Sequence, residues 1–151
     1  MALTTFGAIM GFAAEMAEKM AALYESLAEK ASDSALKEFL QGLSVEEGKN
    51  HALMVKTRRE NVTEMILEPI SGLNQEDYEI KVNVADPMED TGLLKVALIL
   101  EEQQKRFFQD VALKVPIPEV ARIFRKIARK KEENLIRLQS LGLNRTLRNE
   151  S

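Results

Sequence analysis

Apolar residues recur at helical spacing along most of the chain and fall into four long segments, near residues 4–31, 33–67, 91–115 and 118–141. Ser32 and Asp33 supply N-cap chemistry between the first two segments, and Asp90 and Thr91 supply it before the third. Pro118 is a favoured first-turn residue for the fourth, and Gly142 offers that helix a stop. The joints inside each pair are short, so segments one and two form one antiparallel hairpin and segments three and four another. The connection between hairpins, residues 68–90, is different. It holds Pro69, Gly72, Asn74 and Pro87, and the alternation of Tyr78, Ile80, Val82 and Val84 with polar residues predicts an extended stretch with one apolar side. A connection of that length can run the full height of a bundle. The expected architecture is an all-α four-helix bundle over residues 1–141, two antiparallel helix hairpins joined by a long crossover, followed by a flexible tail at 142–151.

The two hairpins also read as copies of one unit. Shifting the sequence by 84 residues lays Leu40 on Phe124, Leu43 on Ile127, Tyr24 on Phe108 and Asn50 on Asn134 without a gap. The letters differ while the periodicity agrees, which points to duplication.

A core-facing seam advances by about 3.5 residues per step, and polar residues on it stand out. The first helix is almost wholly apolar there, through Phe6, Met10, Ala13, Ala17, Met20, Tyr24, Leu27 and Ala31. In the second helix Glu47 and Asn50 interrupt the seam, in the third Glu101 and Gln104, and in the fourth Lys131 and Asn134. Burying an unpaired carboxylate or ammonium costs several kcal/mol, so such groups persist in a core when paired, hydrated or bound to metal. The competing reading makes all three charges ordinary surface residues on charge-rich helices. Shared spacing in three helices argues against it.

Composition narrows the chemistry. The 151 residues fit one domain, long enough to bury roughly two-thirds of the surface of the unfolded chain. There is no cysteine, which removes disulfides, thiolate metal sites, iron–sulfur clusters and cysteine nucleophiles together and suits a reducing cytosol. The apolar run from Phe6 to Ala14 has no basic residue before it and is followed by Glu15 and Glu18, so it reads as core helix, neither signal peptide nor membrane span. Arg122, Arg125, Lys126, Arg129 and Lys130 form a basic stripe on the fourth helix. With a net charge of −3 overall, that stripe is a solvated face or a contact for an acidic subunit surface; nucleic acid is not expected. No serine, base and acid can be assembled into a triad, and no glycine run forms a phosphate loop.

Tyr24-Glu-Ser-Leu-Ala-Glu-Lys-Ala, the run from Lys37 to Leu53, and more loosely Leu100-Glu-Glu-Gln-Gln-Lys-Arg-Phe-Phe108 resemble the rubrerythrin-like branch of the ferritin-like superfamily. The resemblance covers all four helices and implies a ferritin-like bundle. Di-iron bundles of this kind take one Glu from each of two helices and a Glu-x-x-His from each of the other two. By that resemblance the ligand positions fall on Ala17, Glu101, Glu47 with Asn50, and Lys131 with Asn134. Two of six ligands survive, a degenerate set. An Asn amide is a poor substitute for imidazole, and Lys131 carries positive charge into the cation's own shell.

The expectation is therefore a non-catalytic bundle without a cofactor, in which Lys131 pairs with Glu47 and Glu101 while Asn50, Asn134 and Gln104 complete the hydrogen bonds. A structural or interaction role follows, in a cytoplasmic homodimer to which Tyr78 to Val84 contribute contact. The alternative implied by the resemblance is a protein binding iron or manganese, at two ions or one, that acts in peroxide or oxygen defence or in iron handling. If a metal binds, Glu47, Glu101 and His51, the single histidine, are the residues to hold it.

Overall fold

A computed structural model describes residues 2–61, 70–82, 84 and 87–150, with side chains as far as residue 143. Helix α1 spans Phe6–Lys30, α2 Ser34–Glu60, α3 Asp90–Lys114 and α4 Pro118–Glu150, and a short 3₁₀ turn, η1, covers Gln75–Tyr78. α1 lies along α2 and α3 along α4; the two hairpins then meet through α1 against α3 and α2 against α4. One continuous apolar core, from Leu3 to Leu141, runs between the four helices.

Helix starts are fixed by side-chain caps. Thr5 accepts a hydrogen bond from the Ala8 amide at 3.0 Å, and Asp33 accepts one from the Leu36 amide at 3.0 Å, each satisfying a donor that the first turn leaves free. Asp90 behaves differently from the sequence expectation. Glu89 holds the N-cap position of α3, and the Asp90 carboxylate instead accepts from the backbone amides of Ser32 and Asp33, both at 2.9 Å. It thereby clips the α1–α2 turn to the start of α3.

Two helix ends also differ. The second helix stops at Glu60: Asn61 leaves helical geometry at φ −116° and ψ 28°, and its side-chain amide donates to the Thr57 carbonyl at 2.8 Å, closing the last turn. The expected continuation over 62–67 lies outside the described residues. The fourth helix does not stop at Gly142 but continues to Glu150, where a tail was expected. Glycine ends a helix by adopting positive φ, and among the described residues Gly72, at 86°, alone does so. Gly142 keeps helical geometry beside Leu94.

The crossover forms no strand among the described residues. Ala2 and Asn74 make one isolated antiparallel bridge, flanked by hydrogen bonds from Leu3 to Leu73 (2.9 Å) and from Ile70 to Thr4 (2.8 Å). The expected alternation is nevertheless visible in packing, since Tyr78, Ile80, Val82 and Val84 all lie against the core while Glu79 and Lys81 are exposed. Tyr78 stacks edge-on to Phe107 at 5.1 Å and donates its hydroxyl to Asp110 at 2.6 Å. The apolar side of this stretch thus faces its own bundle, with Tyr78 buried and Ile80, Val82 and Val84 half-buried against it.

Candidate functional site

The seam spacing that carries leucines and phenylalanines inward carries Glu47, Glu101 and Lys131 with them, and all three are 0% exposed. They meet in one layer. The Lys131 ammonium donates to Glu47 Oε1, and to Glu101 Oε1 at 3.1 Å. Its third near neighbour is Glu46 Oε1, 3.9 Å away. Asn134, also buried, donates its side-chain amide to Glu101 Oε2 at 3.0 Å and to Glu46 Oε1 at 3.0 Å. Tyr24 completes the group by donating its hydroxyl to Glu101 Oε1 at 2.6 Å. Glu101 thus receives Lys131, Asn134 and Tyr24 from two other helices.

Electrostatics follow from this geometry. Burial raises the Glu47 carboxyl to about 7, with Glu101 and Glu46 adding to the rise and Lys131 opposing it. Burial likewise raises Glu46 above the usual carboxylate range, against the pull of Lys131 and Asn134. For Lys131, burial acts to lower the pKa, but Glu47, Glu101 and Glu46 together outweigh it and hold the amine above its ordinary value. Tyr24 is raised well above the usual phenol range by burial and then by Glu101. Three carboxylates face one ammonium, and a carboxyl titrating near neutrality lets a proton take up part of the excess.

The remaining positions are not drawn into this cluster. Asn50 Nδ2 and both ends of the Gln104 amide make no hydrogen bond, contrary to the expectation that they complete the network. Lys131, Tyr24 and Asn134 are the donors that reach the carboxylates, and Glu47 Oε2 is left without a partner as well. Ala17 is buried and contributes a methyl group alone. His51 turns to α1, its Nδ1 lying 2.9 Å from the Ala14 carbonyl oxygen.

Two members of the cluster go beyond what seam spacing predicts. Tyr24 sits on the seam, where spacing predicts a core ring and says nothing of its hydroxyl. Glu46 lies one residue off the seam. A signal for it exists, because an ammonium has three donors and the seam offers Lys131 only two acids.

The donor set does not suit a pair of iron or manganese ions. The ammonium of Lys131 is bonded to the two carboxylates that would have to bind a metal, Ala17 has no donor atom, and amides stand at both places for imidazole. Among the described residues no group of three or more His, Cys, Asp and Glu side chains is arranged to hold a metal ion. No helix among them is long and apolar enough to cross a membrane.

No protein-family model and no curated protein matches the sequence. Among solved structures, a Thermotoga maritima protein described as a candidate ferritin-like diiron-carboxylate protein superposes with a TM-score of 0.76 at 18% identity, over 93% of this chain and 94% of that one. A hypothetical protein from Pyrococcus furiosus superposes with a TM-score of 0.63 at 21% identity, over 87% of this chain and 84% of the other. At such identities the likeness is one of fold. Four helices paired as two hairpins around a crossover, superposing over nearly their whole length on the first of these structures, give this chain the ferritin-like fold.

Proposed function

We propose that this chain is a non-catalytic, rubrerythrin-like member of the ferritin-like bundles, in which an internal lysine does the electrostatic work of metal ions and whose role is structural or interactive. The observation that carries the reading is the Lys131 ammonium seated between Glu47 and Glu101 in a fully buried layer. Two carboxylates in a dry core repel each other and must be neutralised by cations or protons. Here a covalently attached cation is bonded to both, and Asn134 and Tyr24 supply hydrogen bonds that fix the acids in place. The reading includes a cytoplasmic homodimer, in keeping with a chain that has no cysteine.

The rival reading is a di-iron or single-metal protein handling peroxide, oxygen or iron. Glu46, Glu47 and Glu101 in one layer favour it, as does the name of the Thermotoga maritima protein. Elemental analysis of protein purified without chelator separates the two. Substoichiometric iron and manganese, and a melting temperature indifferent to chelator, are the expected results. Near-stoichiometric metal with an oxo-to-iron absorption band would overturn the proposal. A second measurement uses Lys131→Glu, which is expected to lower apoprotein stability while raising affinity for divalent cations, read by calorimetric titration with manganese.

A further inference from the structure

Among the described residues, the outer face of α2 has no partner in its own chain. Leu36, Leu40, Leu43, Glu47, Met54 and Thr57 are buried on the inner face. On the opposite face Val45 is 60% exposed and Ala52 is exposed, with the exposed Gly48 beside them. Gly42 and Gly48 have no packing reason inside the chain, since a Cβ at either would meet no heavy atom within 4 Å. Glycine within a helix costs about 1 kcal/mol relative to alanine. Two such residues with nothing above them leave backbone open to close approach from outside.

Charges at the two ends of this face make it complementary to itself. We propose that α2 packs antiparallel against α2 of a second copy of the chain, about a two-fold axis passing between Gly48 and Lys49. Successive residues turn by about 100°, so Val45 and Ala52 lie within about 10° of the centre of the face, and Glu38, Gln41, Lys56 and Arg59 within about 30°. Each of these residues on one copy stands level with the one equidistant from the axis on the other. Val45 meets Ala52, Gln41 meets Lys56, and Glu38 meets Arg59, each pair occurring twice as an isologous contact requires.

Among the described residues Glu38 and Arg59 make no ion pair with each other or with a third group. These charges suit this register and disfavour a slip of a full heptad. Sliding one helix by seven residues sets Glu38 against Ala52 in one direction or Arg59 against Val45 in the other, and both ion pairs vanish. Lys49 flanks the axis at the rim, where its ammonium reaches solvent. This surface gives the homodimer of the proposed function its contact, but it involves no residue of the buried cluster. Metal content and self-association are therefore separate readouts, and either can fail without the other.

The test is sedimentation velocity on the full chain over about a hundredfold concentration range. A reversible monomer–dimer equilibrium is expected, and Val45→Glu is expected to raise its dissociation constant by at least about tenfold while leaving helix content and melting unchanged. Arg59→Glu weakens the dimer similarly, and adding Glu38→Arg to it restores association, because the ion pairs return with reversed sign. The chain has no cysteine of its own, so Gly48→Cys reports the axis directly by forming one intermolecular disulfide under mild oxidation. A chain monomeric at every concentration overturns the proposal. So does a dimer indifferent to Val45→Glu, a charge swap that fails to restore association, or a dimer that Gly48→Cys cannot cross-link.

Discussion

Lys131 and Glu47 hold equivalent places in the two hairpins, 84 residues apart, and bind each other across the middle of the bundle. The shift that superposes the hairpins' apolar patterns is therefore also the separation of the central ion pair. A seam position where both hairpins would carry the same residue is occupied by opposite charges. The pair lies where neither partner can reach solvent, so each depends on the other for its charge.

Removing one side of that pair leaves buried carboxylates without their cation. Lys131→Met is expected to destabilise the protein by about 3–5 kcal/mol, and Lys131→Met with Glu47→Met to recover a large part of the loss, because an apolar pair of similar volume needs no solvation. Urea unfolding of the two single variants and the double variant gives the coupling. A double variant as unstable as the sum of the singles would mean that the two side chains do not interact.

Glu47 also makes stability depend on pH in a direction opposite to most carboxylates. Its ordinary value is 4.5 and its folded value about 7, so between these the native state holds a proton that the unfolded chain releases. The sign follows: stability is greatest below about 4.5 with respect to this group, falls as pH rises, and has lost the whole contribution above about 7. Oε1 accepts from Lys131, while Oε2 has no hydrogen-bond partner. Glu46, raised in the same direction, steepens the slope. Glu47→Gln is expected to reduce the protons released on unfolding at pH 6 by up to about one, measured from the pH dependence of the denaturation midpoint.

Both tyrosines are held above the usual phenol range, Tyr24 by burial and Glu101, Tyr78 by burial and its hydrogen bond to Asp110. Alkaline titration followed by phenolate absorbance is therefore expected to show no ionisation near the ordinary value of 10. Absorbance rises instead together with the loss of helical circular dichroism. A phenolate signal that precedes unfolding would show that at least one of these hydroxyls faces water.

Asp90 ties the α1–α2 turn to α3 through two backbone amides. Asp90→Ala removes both acceptors and is expected to cost roughly 2 kcal/mol, with faster hydrogen exchange at Ser32 and Asp33. Unchanged exchange at those two amides would argue that the clip does not form in solution.

The hairpins and the central layer were legible in the sequence because apolar periodicity dictates which side chains turn inward, and Glu47, Glu101 and Lys131 fall on that periodicity. Glu46 was not, since a residue about 100° off a seam reaches the interior only through a flexible side chain aimed at a specific donor. The Tyr24 hydroxyl escaped for a related reason: a seam aromatic declares its ring through spacing, but its hydroxyl declares itself only when an acceptor from another helix is in view. Gly142 and Asp90 carried strong local signals for a helix stop and a helix cap. Gly142 nevertheless stays helical, and the Asp90 carboxylate reaches the turn of the other hairpin.

The opposite charges at the equivalent positions restrict which hairpins can combine. Antiparallel hairpins of similar length and periodicity are prone to exchange between copies during folding, each finding a second version of itself. A bundle made from two first hairpins would enclose Glu47 facing Glu47, and one made from two second hairpins would enclose Lys131 facing Lys131. Two facing ammonium groups would need to lose a proton and two facing carboxyls to gain one, whereas a first hairpin with a second one neutralises itself. The central pair would thus favour the union of unlike halves at assembly.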